Sequence, residues 1–178
     1  MKQSDFNFNL LDTKKPEEVI RDLLQQISMA TQNRIFGKIE EYTGEIESYT
    51  KSSLTSMVSI ASGLSGTKID IQSELGELFP QRNKFEVYLS VSNMEYYKYR
   101  MMFIEYGSTA YPVKIVMNED IYHECFKKNF TPILASSMSE LENIIQNAID
   151  SETMLKLLQS LINESLRIET SKNNSNNG

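Results

Sequence analysis

An α+β fold is what this sequence predicts: an N-terminal helix, an antiparallel β-meander of about five or six strands, and C-terminal helices packed on one face. Three observations carry that expectation. Near both ends of the chain, apolar residues recur at three- and four-residue spacing, as on one-sided helices. In the middle they alternate with polar residues, as on strands with one face against a core. The connections between these runs are short and rich in Gly, Ser, Asn and Pro, which favours antiparallel neighbours.

Residues 1–15 read as a flexible arm with scattered Phe6, Phe8, Leu10 and Leu11. Pro16 suits the first turn of a helix, where its missing N–H costs nothing, and Glu17 and Glu18 complement the helix dipole. Val19, Ile20, Leu23, Leu24, Ile27 and Ala30 make one apolar face, with an expected end near Gln32. Ile35, Gly37 and Ile39 before Tyr42 read as a first strand. Leu54, Val58 and Ile60 read as another, because seven serines between Ser48 and Ser65 weaken helix propensity there. Ser62–Gly66 reads as a hairpin loop.

The alternation is then regular. Ile69 and Ile71 alternate with Lys68, Asp70 and Gln72. Phe85, Val87, Leu89 and Val91 form one side of a strand. Tyr97, Tyr99, Met101 and Phe103 form one side of the next, opposite Lys98, Arg100, Met102, Ile104 and Tyr106. Tyr111, Val113, Ile115 and Met117 form a further strand, which Pro112 would place at a sheet edge. Asn118 is positioned to cap a helix over 119–127, and Thr131–Leu134 reads as a brief edge strand. Ser139 with Glu142 reads as a capping box ahead of Leu141, Ile144, Ile145, Ala148 and Ile149. A last helix begins near Ser151 and carries apolar residues as far as Leu166. The single domain is expected over 16–169, with a disordered tail over 170–178.

Composition narrows the function. The 178 residues carry 18 Lys and Arg against 24 Asp and Glu, a net charge of −6, which disfavours a general nucleic-acid binder. One cysteine excludes an internal disulfide and fits a reducing compartment. No secretory signal, lipidation motif or membrane-spanning run is present, so a cytoplasmic location is expected. Abundant Ile, Asn and Lys with five Arg and no Trp suggest an AT-rich bacterial or mobile-element origin.

The usual catalytic signatures are missing. His123 and Cys125 are the sole His and Cys, and on a helix they project about 200° apart, so no zinc set and no Cys–His dyad is expected. There is no nucleophile-elbow motif and no glycine-rich phosphate loop. No catalytic residue, metal ligand or cofactor is therefore assigned. Carboxylates such as Asp70, Glu74 and Glu86 fall on neighbouring strands, which leaves a metal-dependent hydrolase as an alternative. The most unusual composition is Tyr96–Phe103. Here Lys98 and Arg100, with Tyr88, Tyr106 and Lys114, are expected to form one outward basic and aromatic face. Such a face would clamp a partner's carboxylates, or alternatively stack single-stranded bases. The favoured expectation is a non-enzymatic cytoplasmic protein-interaction module of regulatory, immunity or defence type. A homodimer through the C-terminal helices is a further expectation. Any membrane role is disfavoured.

Overall fold

The computed structural model describes residues 11–46, 81–126 and 132–175, the side chains of 173–175 excepted. Chain order is α1 (Pro16–Ala30), β1 (Ile35–Glu41), β2 (Asn83–Val91), β3 (Met94–Tyr106) and β4 (Val113–Met117). Then follow α2 (Glu119–Phe126), β5 (Ile133–Ala135), α3 (Met138–Ile149) and α4 (Glu152–Ser175). The five strands form one antiparallel sheet in sequential order, so the α+β meander is as expected. The strands expected at 54–60 and 69–71, the hairpin loop at 62–66, and Asp70 and Glu74 lie outside the described residues.

α1 starts at Pro16, and the Glu18 carboxylate accepts the Lys15 N–H at 3.3 Å. It buries Val19, Ile20, Leu24 and Ile27. Leu24 lies directly on Gly37 of β1: a Cβ there would sit 2.8 Å from the Leu24 Cβ, so only glycine allows this approach. The helix stops at Ala30, two residues before its expected end. Gln32 and Asn33 adopt left-handed φ values of 52° and 59°, which turn the chain into β1.

All four helices contribute to one core against the sheet. It contains Val87, Leu89, Met102, Ile104, Val113 and Ile115 from the strands, with Ile121, Leu141, Ile145 and Met154 from α2, α3 and α4. Asn118 caps α2 as expected, its Oδ1 accepting from the Asp120 N–H at 3.0 Å.

Several boundaries differ from the sequence reading. The cap of α3 is Ser137 rather than Ser139: Ser137 Oγ accepts from the Glu140 N–H at 3.2 Å, and Glu140 accepts from the Ser136 N–H at 2.7 Å. The same spacing of serine and glutamate occurs two residues earlier, and Met138 joins the apolar side there. β4 is interior, between β3 and β5, and Pro112 precedes its first residue, where no ladder N–H is lost. Residues 11–15 are tied down, since Asp12 accepts from the Met138 N–H at 2.6 Å and Lys14 pairs with Asp22 at 2.7 Å. α4 continues through Ser175, past the expected domain end at 169. The Glu124 carboxylate accepts from the Thr153 N–H at 3.0 Å and from the Glu152 N–H, which anchors the start of α4. Those backbone hydrogen bonds hold Glu124 below the usual carboxylate range.

Candidate functional site

The sheet has two unlike faces, and of two register shifts between β2 and β3 the one at Val87/Tyr88 decides which side chains of the second half of β3 share them. Val87 stands opposite Met102, yet the next residue, Tyr88, stands opposite Arg100, so Met101 is an inserted bulge residue. Its carbonyl accepts from the Asn118 N–H at 2.8 Å. Before the bulge the even-numbered residues Lys98 and Arg100 point away from the helices. After it, the odd-numbered Phe103 and Glu105 do, while Met102, Ile104 and Tyr106 turn inward.

This corrects the expected patch. Tyr88, Lys98, Arg100 and Lys114 share the face opposite the helices, as expected, but Tyr106 lies on the helix side. It is buried there, its hydroxyl donating to Glu17 Oε2 of α1 at 2.7 Å, and its ring stacks parallel to Phe85 at 6.1 Å. Met101 is in the core as expected, buried beside Met102, but Phe103, expected to share that side with Tyr99 and Met101, lies on the other face and meets Tyr42 at 4.8 Å. The bulge thus adds Met102 and Ile104 to the core beside Met101, and Phe103 loses its expected inward place.

Glu86 is the centre of the face. Its side chain is only 9% exposed, and it accepts from Arg100 Nε at 2.7 Å and from Lys98 Nζ. Burial alone raises the Glu86 carboxyl, but the hydrogen bonds and charges of Lys98 and Arg100 outweigh it and hold the group below its ordinary value. Lys98 also stands over the Tyr88 ring, 4.0 Å from its centroid. The Tyr88 phenol is pushed up to about 12, first by burial and then by the neighbouring Glu40 carboxylate.

Register adds residues that the sequence reading missed. Lys38 stands opposite Tyr88, Glu40 opposite Glu86, and Lys84 opposite Glu105. Lys114 stands opposite Glu105 on the other side. Among the described residues the strands place five cations (Lys38, Lys84, Lys98, Arg100, Lys114) on this face against three carboxylates (Glu40, Glu86, Glu105), and Glu45, 3.5 Å from Lys84, adds a fourth. The alternation of Phe36, Lys38 and Glu40 with Ile35, Gly37 and Ile39 was the available signal.

Not all of this charge is neutralised. Arg100 is more than half exposed, and among the described residues Nε is the only one of its nitrogens that donates a hydrogen bond. Lys114 makes no salt bridge among the described residues. Beside Arg100 a cleft of about 380 Å³ is walled by Tyr42, Ile46, Phe103 and Val116 together with Glu45 and Asn118, so the guanidinium adjoins a hollow of mixed apolar and polar lining.

Other candidate groups stand apart. His123 is half exposed and lies 3.6 Å from Glu119, while the Cys125 thiol donates to the Asn147 carbonyl at 3.4 Å and is raised by burial. Among the described residues no three His, Cys, Asp or Glu side chains group as a metal site, and Glu86, one of the expected hydrolase carboxylates, is occupied by two cations. No described helix is long and apolar enough to cross a membrane.

Fold and face together define a two-layer α+β domain with helices on one side of a meander and a cationic, aromatic surface on the other. No protein-family model matches this chain, and searches of curated proteins and of solved structures likewise find no match.

Proposed function

We propose that this chain is a non-enzymatic interaction module that binds an acidic segment of another protein through the sheet face around Arg100. The observation that carries the reading is the unspent cationic capacity of that face on an otherwise acidic chain. Arg100, paired with Glu86 through Nε alone among the described residues, borders a hollow that includes aromatic and aliphatic groups, and Lys114 adds a cation with no salt bridge among the described residues. A guanidinium fork recognises carboxylates in two-point geometry, while an adjoining hollow takes an apolar side chain of the same segment. The chain as a whole carries a net charge of −6, which disfavours docking of an acidic partner away from this face. A cytoplasmic bacterial or mobile-element protein with a regulatory, immunity or defence role fits this reading.

The test is affinity capture from the native host with identification of what is retained, repeated with the Arg100→Gln/Lys114→Gln variant. This pair leaves Lys98 on Glu86, unlike reversal of Lys98 and Arg100, which would surround a buried carboxylate with two more. One acidic protein held by the wild type, lost from the variant and released by added salt is the expected result. Equal capture by the folded variant overturns the assignment, and retention of nuclease-sensitive nucleic acid replaces it with a single-strand binder.

A further inference from the structure

We infer that two copies of this chain pair antiparallel through the outer edge of β1, about a two-fold axis at Ile39, to make one continuous ten-stranded sheet. The inference begins with which backbone groups β1 leaves unused. The Tyr42 N–H donates to the Lys84 carbonyl at 2.9 Å, and the Ser92 N–H donates to the Arg34 carbonyl at 2.9 Å. The register between them is unbroken from Ile35 to Glu41. Even-numbered residues of β1 therefore spend their N–H and C=O groups on β2, and the odd-numbered ones direct theirs to the outer edge.

At Ile35 that edge is already closed, because Thr31 Oγ1 accepts the Ile35 N–H at 3.2 Å while donating to the Ile27 carbonyl at 2.8 Å. Gly37, Ile39 and Glu41 remain, and among the described residues no partner bonds them on that side. These three positions are symmetric about Ile39. Unpaired edge groups are a template for another strand, and a second β1 is a strand of the right length and hydrogen-bonding phase.

Side-chain charge selects the same register. Pairing about Ile39 puts Ile39 opposite its own copy, Gly37 opposite Glu41, Lys38 opposite Glu40 and Phe36 opposite Tyr42. Lys38 and Glu40 would face each other twice, once on each side of the axis, at the close non-hydrogen-bonded positions. Both side chains are exposed and lie on the sheet face opposite the helices. A shift of one residue, centred on Lys38, would instead set two lysines against each other. Such a self-complementary contact is the isologous kind that closes a dimer. The pairing does not depend on the proposed acidic partner, although it would place two copies of the cationic face side by side.

Charge exchange tests the register. Sedimentation of the full chain at about 10–100 μM should show a dimer. Lys38→Glu and Glu40→Lys should each weaken it by about tenfold or more, since each turns two attractive pairs into repulsive ones. Mixing the two variants should restore a dimer of wild-type strength, because unlike charges then face each other at all four positions. Amide exchange at Gly37, Ile39 and Glu41 in the wild type should slow as concentration rises, which requires no variant to fold. A wild type that stays monomeric with concentration-independent exchange overturns the inference. So does a dimer insensitive to either reversal, or folded variants that fail to recover on mixing. A dimer lost instead on Leu155→Glu or Leu166→Glu would move the interface to α4, where both leucines are exposed.

Discussion

The two faces of the sheet are held by different forces, although both are built from the same five strands. Toward the helices, Val87, Leu89, Ile104 and Ile115 are fully buried among aliphatic side chains of all four helices. Away from them, Glu86 and Tyr88 are nearly as inaccessible, yet what surrounds them is Lys98, Arg100 and Glu40. The first face is stabilised by removal of apolar surface from water, which involves no titrating group and which sodium chloride does not screen. The second depends on partners of opposite charge, so solution conditions reach it.

The largest effect should come from the apolar face. Ile104 is completely buried between Phe85 and Ile115 in register, so Ile104→Ala should cost about 2–5 kcal/mol through lost burial and the cavity left behind. Urea unfolding at pH 7 measures it, and 0.5 M salt should leave the difference unchanged. A cost that fell with salt would erase the distinction between the faces.

Next in size is the Glu86 cluster. Replacing Lys98 and Arg100 together with Met leaves a 9%-exposed carboxylate without a partner, which should cost about 1–3 kcal/mol once the exposure of both cations is allowed for. Adding Glu86→Gln to that pair should recover most of the loss, because the stranded charge, rather than the missing attraction, carries it. The pH dependence follows in sign. Glu86 is held below its ordinary 4.5 in the folded chain, so its contribution is complete above that value and is lost as the pH falls through the lower, folded one. Wild type and Glu86→Gln should therefore converge in stability as the solution is acidified. Parallel curves down to pH 3 would place the carboxylate in no such cluster.

The sequence showed one face far better than the other. Strict alternation in Phe85–Val91 and the helical spacing of Leu141–Ile149 marked the core directly, since burial repeats with the geometry of the element. Along Met101–Ile104 every residue is apolar, so parity there is undetermined, and one bulged residue exchanges the faces of all that follow. Glu105 held the missing clue. Lys98 and Arg100 are even-numbered and Glu105 is odd, so all three can point outward only if a residue is inserted between them. The same slip sent Tyr106 inward, to Glu17. Lys38 and Glu40 were missed for another reason, as β1 was read for its apolar side alone. The pairing of Glu86 with both cations depends on the register of β2 against β3, which no local pattern encodes.

The smallest predicted effect sharpens the comparison at Tyr88, which like Glu86 is buried among charges on the outer face. Tyr88→Phe keeps the ring beneath Lys98 and removes only the hydroxyl beside Glu40, so the stability cost at pH 7 should be about 1 kcal/mol or less. Its phenol ionises near 12 in the folded chain against an ordinary 10, so the neutral form is favoured by folding. That contribution is complete below pH 10 and is lost as the pH rises from 10 through 12. The ultraviolet difference between wild type and Tyr88→Phe, followed up the alkaline range while the fold is monitored by circular dichroism, isolates this group. Ionisation near 12 places Tyr88 in the buried, acid-flanked setting described. Ionisation near 10 in the folded chain would mean that water and mobile counter-ions reach the phenol, and the outer face would then be an ordinary solvated sheet surface.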